Sequence, residues 1–98
     1  MADLLKVSWS AEAIQNLSDI SEYLRLKWTE KEVRNFFQKL DRCIHLISSN
    51  PKLFPVTKHR KDLRRCVLSK QTSIYYFFIE SEIFIVSLFD NRRENKPD

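Results

Sequence analysis

Basic side chains gather at two places in the second half of this 98-residue chain. One group follows the apolar run near the C-terminal end and consists of Arg92 and Arg93. The other lies between positions 52 and 70 and comprises Lys52, Lys58, Arg60, Lys61, Arg64, Arg65 and Lys70, against the single acid Asp62. Phosphates and carboxylates are the groups that such charge density attracts. The sequence therefore predicts a polyanionic or acidic partner.

Four residues are candidates for catalysis within these groups. Arg64, Arg92 and Arg93 offer charge that stabilises a phosphate in a transition state, and His59 is the candidate general acid or base. His45 lies off the apolar stripe of its helix and is expected to be exposed. The spacing shows no Ser-His-Asp or Cys-His arrangement, so hydrolase chemistry of those kinds has little support.

The net charge of +4 arises entirely in the second half of the chain. Positions 1–49 hold seven basic and seven acidic residues, and positions 50–98 hold ten and six. Glycine is absent, and phosphate-cradling loops need residues without a side chain beside the ligand. We therefore expect no nucleotide cofactor.

Cys43 and Cys66 lie far apart and form no Cys-x-x-Cys pair, which predicts two buried thiols rather than a disulfide framework or a zinc site. No cofactor and no metal are expected. No apolar stretch reaches transmembrane length, and the first residues lack the features of a secretory signal. These observations predict a soluble, cytoplasmic protein without a membrane partner.

Hydrophobic periodicity predicts six elements in a single domain, 1–98. A short strand over 4–9 precedes a helix that Ser10 caps, and Thr29 with Glu32 forms a capping box for a second helix, which ends at Asn50. Strands over 64–70, 72–80 and 81–89 follow at separations that only antiparallel hairpins can join. The fold class is therefore α+β: a two-layer β-α-α-β-β-β domain with the helical hairpin packed on one face of a mainly antiparallel sheet.

Alternation assigns the strand residues to two faces. In the strand over 72–80, Ile74, Tyr76 and Phe78 line one face and Tyr75, Phe77 and Ile79 the other. In the last strand, Ile83 and Ile85 lie opposite Phe84, Val86 and Leu88. Two helices cover only one face, so the other meets a partner chain or the first helix of a second copy, or is shielded by loops and the C-terminal tail. Arg64 and Arg65 point to opposite faces, and the end of the last strand is expected near the start of the strand that carries them.

Four motifs together resemble the RelE/ParE superfamily of bacterial toxins. They are Val7-x-Trp9-Ser10-x-x-Ala13, Leu17-x-x-Ile20-x-x-Tyr23-Leu24, the Asn50-Pro51 break, and the series Arg64-Arg65, Ile74-x-Tyr76 and Asp90-Asn91-Arg92. The resemblance implies the toxin of a type II toxin-antitoxin module, with growth inhibition and plasmid stabilisation as its effects. It also implies a cognate antitoxin as partner, with a homodimer or a heterotetramer containing the antitoxin as alternative assemblies.

The two branches of this superfamily act on different targets. Members like RelE cleave mRNA on the ribosome with basic residues of strands two to four and a Tyr or His near the C-terminus; the matching positions here are Arg64 and Arg92 or Arg93. Thr72 and Ser73 replace a Tyr and an Arg of RelE, and no Tyr or His follows Phe89. These departures favour the ParE branch, which poisons DNA gyrase.

Three functional hypotheses follow. The first is ParE-like inhibition of DNA gyrase, the second is ribosome-dependent mRNA endoribonuclease activity of the RelE type, and the third is an interaction module whose toxicity has decayed. Under the first two, the residues expected to bind target or antitoxin are Lys58, Arg60, Lys61, Arg64, Arg65, Lys70, Tyr75, Phe77, Arg92 and Arg93.

Overall fold

The computed structural model describes residues 4–58, 60–70 and 72–90. Its elements are β1 (Lys6–Trp9), α1 (Ala11–Lys27), α2 (Glu30–Ser49), β2 (Arg64–Val67), β3 (Thr72–Ile79) and β4 (Glu82–Asp90). The predicted element order and the α+β class are confirmed. In the described part of the chain, neither helix is long and apolar enough to cross a membrane.

Both helices begin at the predicted caps. The Ala13 amide donates to Ser10 Oγ at 2.9 Å, and the Glu32 amide donates to Thr29 Oγ1 at 3.3 Å. The Thr29 hydroxyl in turn donates to the Glu32 carboxylate at 3.4 Å, so the predicted capping pair is present with a side-chain rather than a backbone return bond. Each cap satisfies an amide that the first helical turn leaves without a partner.

The sheet has the strand order β1-β4-β3-β2 and is mixed. β2, β3 and β4 pair antiparallel as predicted, whereas β1 pairs parallel to β4, with Lys6 opposite Glu82 and Trp9 opposite Ile85. A parallel neighbour requires a crossover connection. The helical hairpin lies within the long stretch of chain that joins β1 to β4.

A β-bulge in β4 corrects one prediction about the faces of the sheet. Tyr75 pairs with Ser87 and Tyr76 with Ile85, so Val86 is an extra residue in β4. The bulge returns Leu88 to the face of Ile85, where it joins the buried core; the prediction that Leu88 lies on the opposite face was wrong.

Helix α1 and its cap residue bond to the backbone of β4 at this bulge and just after it. The Ser10 hydroxyl donates to the Val86 carbonyl at 2.6 Å, and the Leu88 amide donates to Asn16 Oδ1 at 3.1 Å. Buried backbone groups that leave a ladder need such partners. The residues that begin α1 therefore also stabilise the irregular part of β4.

The core lies between the helices and one face of the sheet, called here the helix-covered face. Helix α2 contributes Phe36, Leu40 and Ile47, and the sheet contributes Cys66, Ile74, Tyr76, Ile83, Ile85 and Leu88. The Tyr76 hydroxyl donates to the Pro51 carbonyl at 2.8 Å. Burial raises the pKa of Tyr76 to about 12, so this donor keeps its proton at neutral pH and fixes the chain after α2 against the sheet.

Candidate functional site

The sheet face opposite the helices, called here the open face, carries a row of aromatic side chains. The Phe77 and Phe84 rings stack with centroids 5.0 Å apart, and the Tyr75 and Phe89 rings meet edge to face at 6.4 Å. Phe77, Phe84 and Phe89 are half-buried, whereas Tyr75 is fully buried. The described chain therefore leaves apolar ring surface accessible on this face.

Arg65 lies on the open face at the β2 edge of the aromatic row. It pairs with Tyr75 across the β2–β3 ladder, and its Nε donates to Ser73 Oγ at 3.2 Å. Ser73 itself is fully buried. Arg65 therefore places a half-buried positive charge beside the aromatic side chains.

Arg64 lies on the helix-covered face, opposite to Arg65 as alternation predicted, and its guanidinium bonds to the chain between α2 and β2. One terminal nitrogen donates to the Phe54 carbonyl at 2.6 Å and to the Lys52 carbonyl at 3.3 Å. The guanidinium carbon also lies 5.8 Å from the centroid of the Phe78 ring. Three contacts within the fold thus hold Arg64, and it does not share a face with Arg65.

A turn at the edge of β2 carries three residues of the predicted binding set, Lys58, Arg60 and Lys61. The Thr57 amide donates to the Leu63 carbonyl at 2.8 Å, which closes the turn at its base. All three basic side chains are exposed. The turn, defined here as the basic turn, therefore presents positive charge to solvent.

Arg60 and Asp62 form an exposed ion pair within the basic turn. The distance from Nη2 to Oδ2 is 3.2 Å, and the hydrogen bond from Arg60 lowers the pKa of Asp62. The Arg60 amide also donates to Thr57 Oγ1 at 3.3 Å. Asp62 therefore offsets one of the positive charges in this turn.

The strand order corrects the expected position of the end of β4. Asp90 pairs with Thr72 at the start of β3, and Ser73 pairs with Val67 at the end of β2. The end of β4 therefore lies level with the end of β2 rather than its start, so the prediction that it lies near the start of β2 was wrong. Lys70, exposed in the β2–β3 turn, lies at that end of the sheet.

Three of the predicted catalytic candidates, His59, Arg92 and Arg93, lie outside the described residues. The carboxylate of Glu82 lies on β4, next to the edge strand β1, where it accepts a hydrogen bond from the Ser8 hydroxyl and lies 3.9 Å from Lys6 Nζ. Arg65 lies two strands away from Glu82 and four residues further along the strand direction. Their Cα atoms are therefore roughly 16 Å apart. These two groups are too far apart to act on one phosphate.

Among the residues that the structure describes, no three His, Cys, Asp or Glu side chains come together as metal ligands. The described open face instead combines aromatic rings, one half-buried arginine and an adjacent basic turn. This arrangement is suited to binding an acidic or polyanionic surface, because stacking and charge contacts both need exposed groups of these types.

The sequence model of the ParE toxin of the type II toxin-antitoxin system parDE matches residues 7–95. The chain belongs to the ParE toxin family. It is therefore a toxin of the type II toxin-antitoxin class, as the sequence resemblance implied. No curated protein sequence matches the chain significantly.

Solved structures of toxins share the fold of this ParE-family chain. The chromosomal ParDE toxin-antitoxin system of P. aeruginosa aligns with a TM-score of 0.73 at 12% identity, covering 89% of this chain and 96% of that one. The E. coli DinJ-YafQ complex gives 0.66 at 9% identity, with coverages of 92% and 96%. The YoeB dimer of Staphylococcus aureus gives 0.61 at 14% identity, with coverages of 89% and 97%.

The structure also brings together two residues of the ParE-family chain that sequence reasoning kept apart. Cys43 of α2 packs against the core cluster that contains Cys66 of β2, and each thiol shifts the pKa of the other. Cys66 is fully buried, as predicted, and Cys43 is half-buried. A signal for this contact was present in the sequence, because Cys43 lies beside the apolar stripe of Leu40 and Ile47 and Cys66 alternates onto the helix-covered face.

The two thiols have pKa values shifted in opposite directions. The hydrogen bond from Cys66 lowers the pKa of Cys43 to about 7, against the effect of burial and with help from the charge of Arg42. The same hydrogen bond and burial raise the pKa of Cys66. Cys43 is therefore the thiol of the pair that ionises near neutral pH.

Proposed function

We propose that this ParE-family toxin inhibits DNA gyrase by binding and does not cleave RNA. The observation that carries the proposal is the position of Arg64. Its guanidinium is bonded to two backbone carbonyls and lies over Phe78 on the helix-covered face, away from Arg65. The described candidate for charge stabilisation is thus held as a structural residue.

RNA cleavage by attack of a 2′-hydroxyl needs more groups than the described open face supplies. A base, an acid and positive charge must converge on one phosphate within hydrogen-bond reach. Arg65 supplies charge, but its Nε donates to the Ser73 hydroxyl, and Glu82 lies two strands away on β4. Inhibition by binding requires only complementary surfaces, which aromatic rings beside a basic turn provide.

A paired assay tests this function. Purified toxin is added to gyrase in a supercoiling reaction and, separately, to ribosomes that are translating a defined mRNA. We expect supercoiling to be blocked while the mRNA stays intact. Cleaved mRNA together with undisturbed supercoiling would contradict the proposal.

A charge reversal with a matched control locates the binding surface. Lys61→Glu changes the basic turn, and Lys31→Glu makes the same change at the exposed start of α2. We expect the first to weaken gyrase inhibition about threefold to tenfold, in the range of single charges at an interface, and the second to leave it unchanged. Equal effects of the two variants would show that net charge, not this surface, governs inhibition.

Ribosome-dependent mRNA cleavage is the second candidate function, and the exposure of the basic turn favours it. Lys58 and Lys61 are exposed where a phosphate backbone has access to them, and His59 lies between them in the sequence. This function predicts mRNA cleavage that His59→Ala or Arg92→Ala abolishes. Intact mRNA on translating ribosomes with the unmutated toxin excludes it.

We further propose that a cognate antitoxin, acidic or amphipathic, covers the open face and neutralises the basic turn in the cytoplasm. Two solved structures with this fold, the ParDE system and the DinJ-YafQ complex, are toxin-antitoxin structures, which supports an antitoxin partner. The dissociation constant should rise with salt and on Phe77→Ala, because charge and ring contacts both contribute. A dissociation constant that salt does not change would contradict the electrostatic part.

A further inference from the structure

Helix α1 carries two large apolar side chains outside the core. Ile14 is 58% exposed and Leu26 is 77% exposed, whereas Ala13, the neighbour of Ile14 in the sequence, is fully buried. Scattered single apolar residues are normal on a protein surface, but these two line the same groove. Their position therefore indicates a contact surface.

The groove runs along α1 beside α2 and has a volume of about 580 Å³. Leu17 and Ser21 of α1 and Phe37 of α2 are its least exposed lining residues and form its floor. Two of these residues are apolar, and Ser21 has a small side chain that leaves room above it. The groove can therefore accept the side chains of another helix.

One rim of the groove is a regular ridge on α1. It consists of four exposed residues at intervals of four, Ile14, Ser18, Glu22 and Leu26. When two helices both use ridges with this spacing, each ridge packs into the groove of the other helix and the axes cross at about 50°. The ridge has apolar residues at both ends and polar residues in the middle, so its pattern is the same in either direction.

We propose that α1 of a second copy of this chain occupies the groove, in an antiparallel contact with two-fold symmetry centred near Ile20. Ile14 and Leu26 lie six positions on either side of this centre, so Leu26 of one copy packs beside Ile14 of the other. Ser18 and Glu22 lie two positions on either side, so a hydroxyl of one copy meets a carboxylate of the other. A two-fold interface requires such self-complementarity.

The charges of α1 favour an antiparallel copy over other partners. Its three acids, Glu12, Asp19 and Glu22, precede its two basic residues, Arg25 and Lys27. The basic last turn of each copy therefore lies along the acidic part of the other, and the two helix dipoles are opposed. The surface of α1 is also net negative, which disfavours an acidic or polyanionic partner at this groove.

The polar residues at the groove are free to make contacts across the interface. Within the described part of the chain, neither Glu22 nor Arg25 forms an ion pair. An intermolecular contact at these side chains therefore breaks no ion pair of the monomer. The contact is also independent of the target of the toxin, because it lies on the helices rather than on the open face.

The length of α1 limits the strength of the contact. The helix has 17 residues and is about 25 Å long, so two crossing copies touch over only a few turns. The buried area is expected to lie below the 1,200 Å² or so at which standard interfaces begin. We therefore expect a dissociation constant of about 1–100 µM, with the toxin monomeric when dilute.

Sedimentation equilibrium of the full chain at concentrations from about 1 to 500 µM tests this surface, since weak interfaces are populated only in that range. We expect a monomer–dimer equilibrium. Ile14→Asp and Leu26→Asp should each raise the dissociation constant at least about tenfold, because the symmetric dimer contains every substitution twice. The matched control is Ile79→Asp on β3, where the isoleucine is 59% exposed, and it should leave the dissociation constant unchanged.

Three results would overturn the proposal. One is a wild-type chain that stays monomeric throughout this range, and another is a dimer that persists unchanged in Ile14→Asp and Leu26→Asp. The third is a monomeric wild-type chain whose binding to the cognate antitoxin is weakened by Leu26→Asp, which would assign the groove to the antitoxin.

A cross-linking experiment tests the register of the two helices without removing the apolar contacts. One chain carries Ser18→Cys and the other Glu22→Cys, both with Cys43→Ser so that the half-buried native thiol does not react. Under mild oxidation, the mixture should form disulfide-linked dimers faster than either chain alone, because the symmetry places position 18 of one copy beside position 22 of the other. Equal rates in the mixture and in the separate chains would refute this arrangement.

Discussion

Replacing Arg64 with alanine removes two hydrogen bonds that join β2 to the preceding chain and one ring contact with Phe78 of β3. The hydrogen bond to the Phe54 carbonyl is short, at 2.6 Å, and partly buried; the one to the Lys52 carbonyl is longer, at 3.3 Å, and exposed. A charged donor contributes about 1.5 kcal/mol in the first setting and about 0.5 kcal/mol in the second. The contact with Phe78 adds about 0.5 kcal/mol.

We therefore expect Arg64→Ala to lower the free energy of unfolding by about 2.5 kcal/mol, and the thermal midpoint by about 10 °C or more for a domain of this size. Urea unfolding followed by the fluorescence of the two tryptophans measures the change. The matched control is Arg60→Ala, whose ion pair with Asp62 is exposed and should contribute less than about 0.5 kcal/mol.

The outcome decides how a loss of activity in Arg64→Ala is to be interpreted. If the variant is as stable as Arg60→Ala, the contacts of Arg64 are not structural, and the argument against a catalytic Arg64 fails. If it is destabilised as expected, loss of toxicity on mutation of Arg64 reports on folding. The same variants then need to be compared at equal folded concentration before any catalytic role is assigned.

Three further variants test other parts of the fold. Glu80, in the β3–β4 turn, adopts a left-handed backbone conformation with a φ of 54°. Glycine adopts this conformation without steric cost, so Glu80→Gly should raise the free energy of unfolding in urea by up to about 1 kcal/mol. A lower free energy of unfolding would contradict the left-handed conformation. Ser10→Ala should lower the free energy of unfolding by about 2 kcal/mol, and Thr29→Ala by about 0.5–1 kcal/mol. The difference is expected because Ser10 caps α1 and also donates to the bulge in β4, whereas Thr29 only caps α2. Equal losses in the two variants would show that the bond from Ser10 to β4 does not contribute. The rate at which a thiol reagent alkylates Cys43 in Cys66→Ala should rise with pH as it does for an ordinary thiol. In the wild-type chain this rate should level off above about pH 8, because a thiol with a pKa of about 7 is almost fully ionised there; identical profiles would show that Cys66 does not acidify Cys43.

Local chemistry in the sequence was sufficient to predict the six elements and both helix caps. Ser10 and Thr29 act within one helical turn, and the apolar period of each helix depends only on its own residues. The pairing of β1 with β4 was not predictable in this way, because no short-range pattern distinguishes a parallel edge strand. The bulge at Val86 was also missed, since alternation assumes an unbroken ladder.

The candidate site was predicted less completely than the fold. Alternation correctly separated Arg64 from Arg65, but the bonds of Arg64 to Lys52 and Phe54 depend on the path of an irregular segment that sequence patterns do not determine. The Cys43 and Cys66 contact depends on how α2 sits across the sheet. The helical period of α2 places Cys43 beside the apolar stripe, and the alternation of β2 places Cys66 on a sheet face. Only the packing of the helix on the sheet shows that the two residues belong to one core.

The parallel pairing of β1 with β4 has a consequence for the order of folding. Lys6 pairs with Glu82, 76 positions later, whereas β3 and β4 meet across a two-residue turn. Closing the longer loop costs roughly 3 kcal/mol more in chain entropy, so the β3–β4 hairpin and the helices should form before β1 joins them. During synthesis the first strand leaves the ribosome long before its partner does. The N-terminal strand should therefore be the last to join the sheet, and a nascent chain that has not reached β4 leaves β1 without a partner strand.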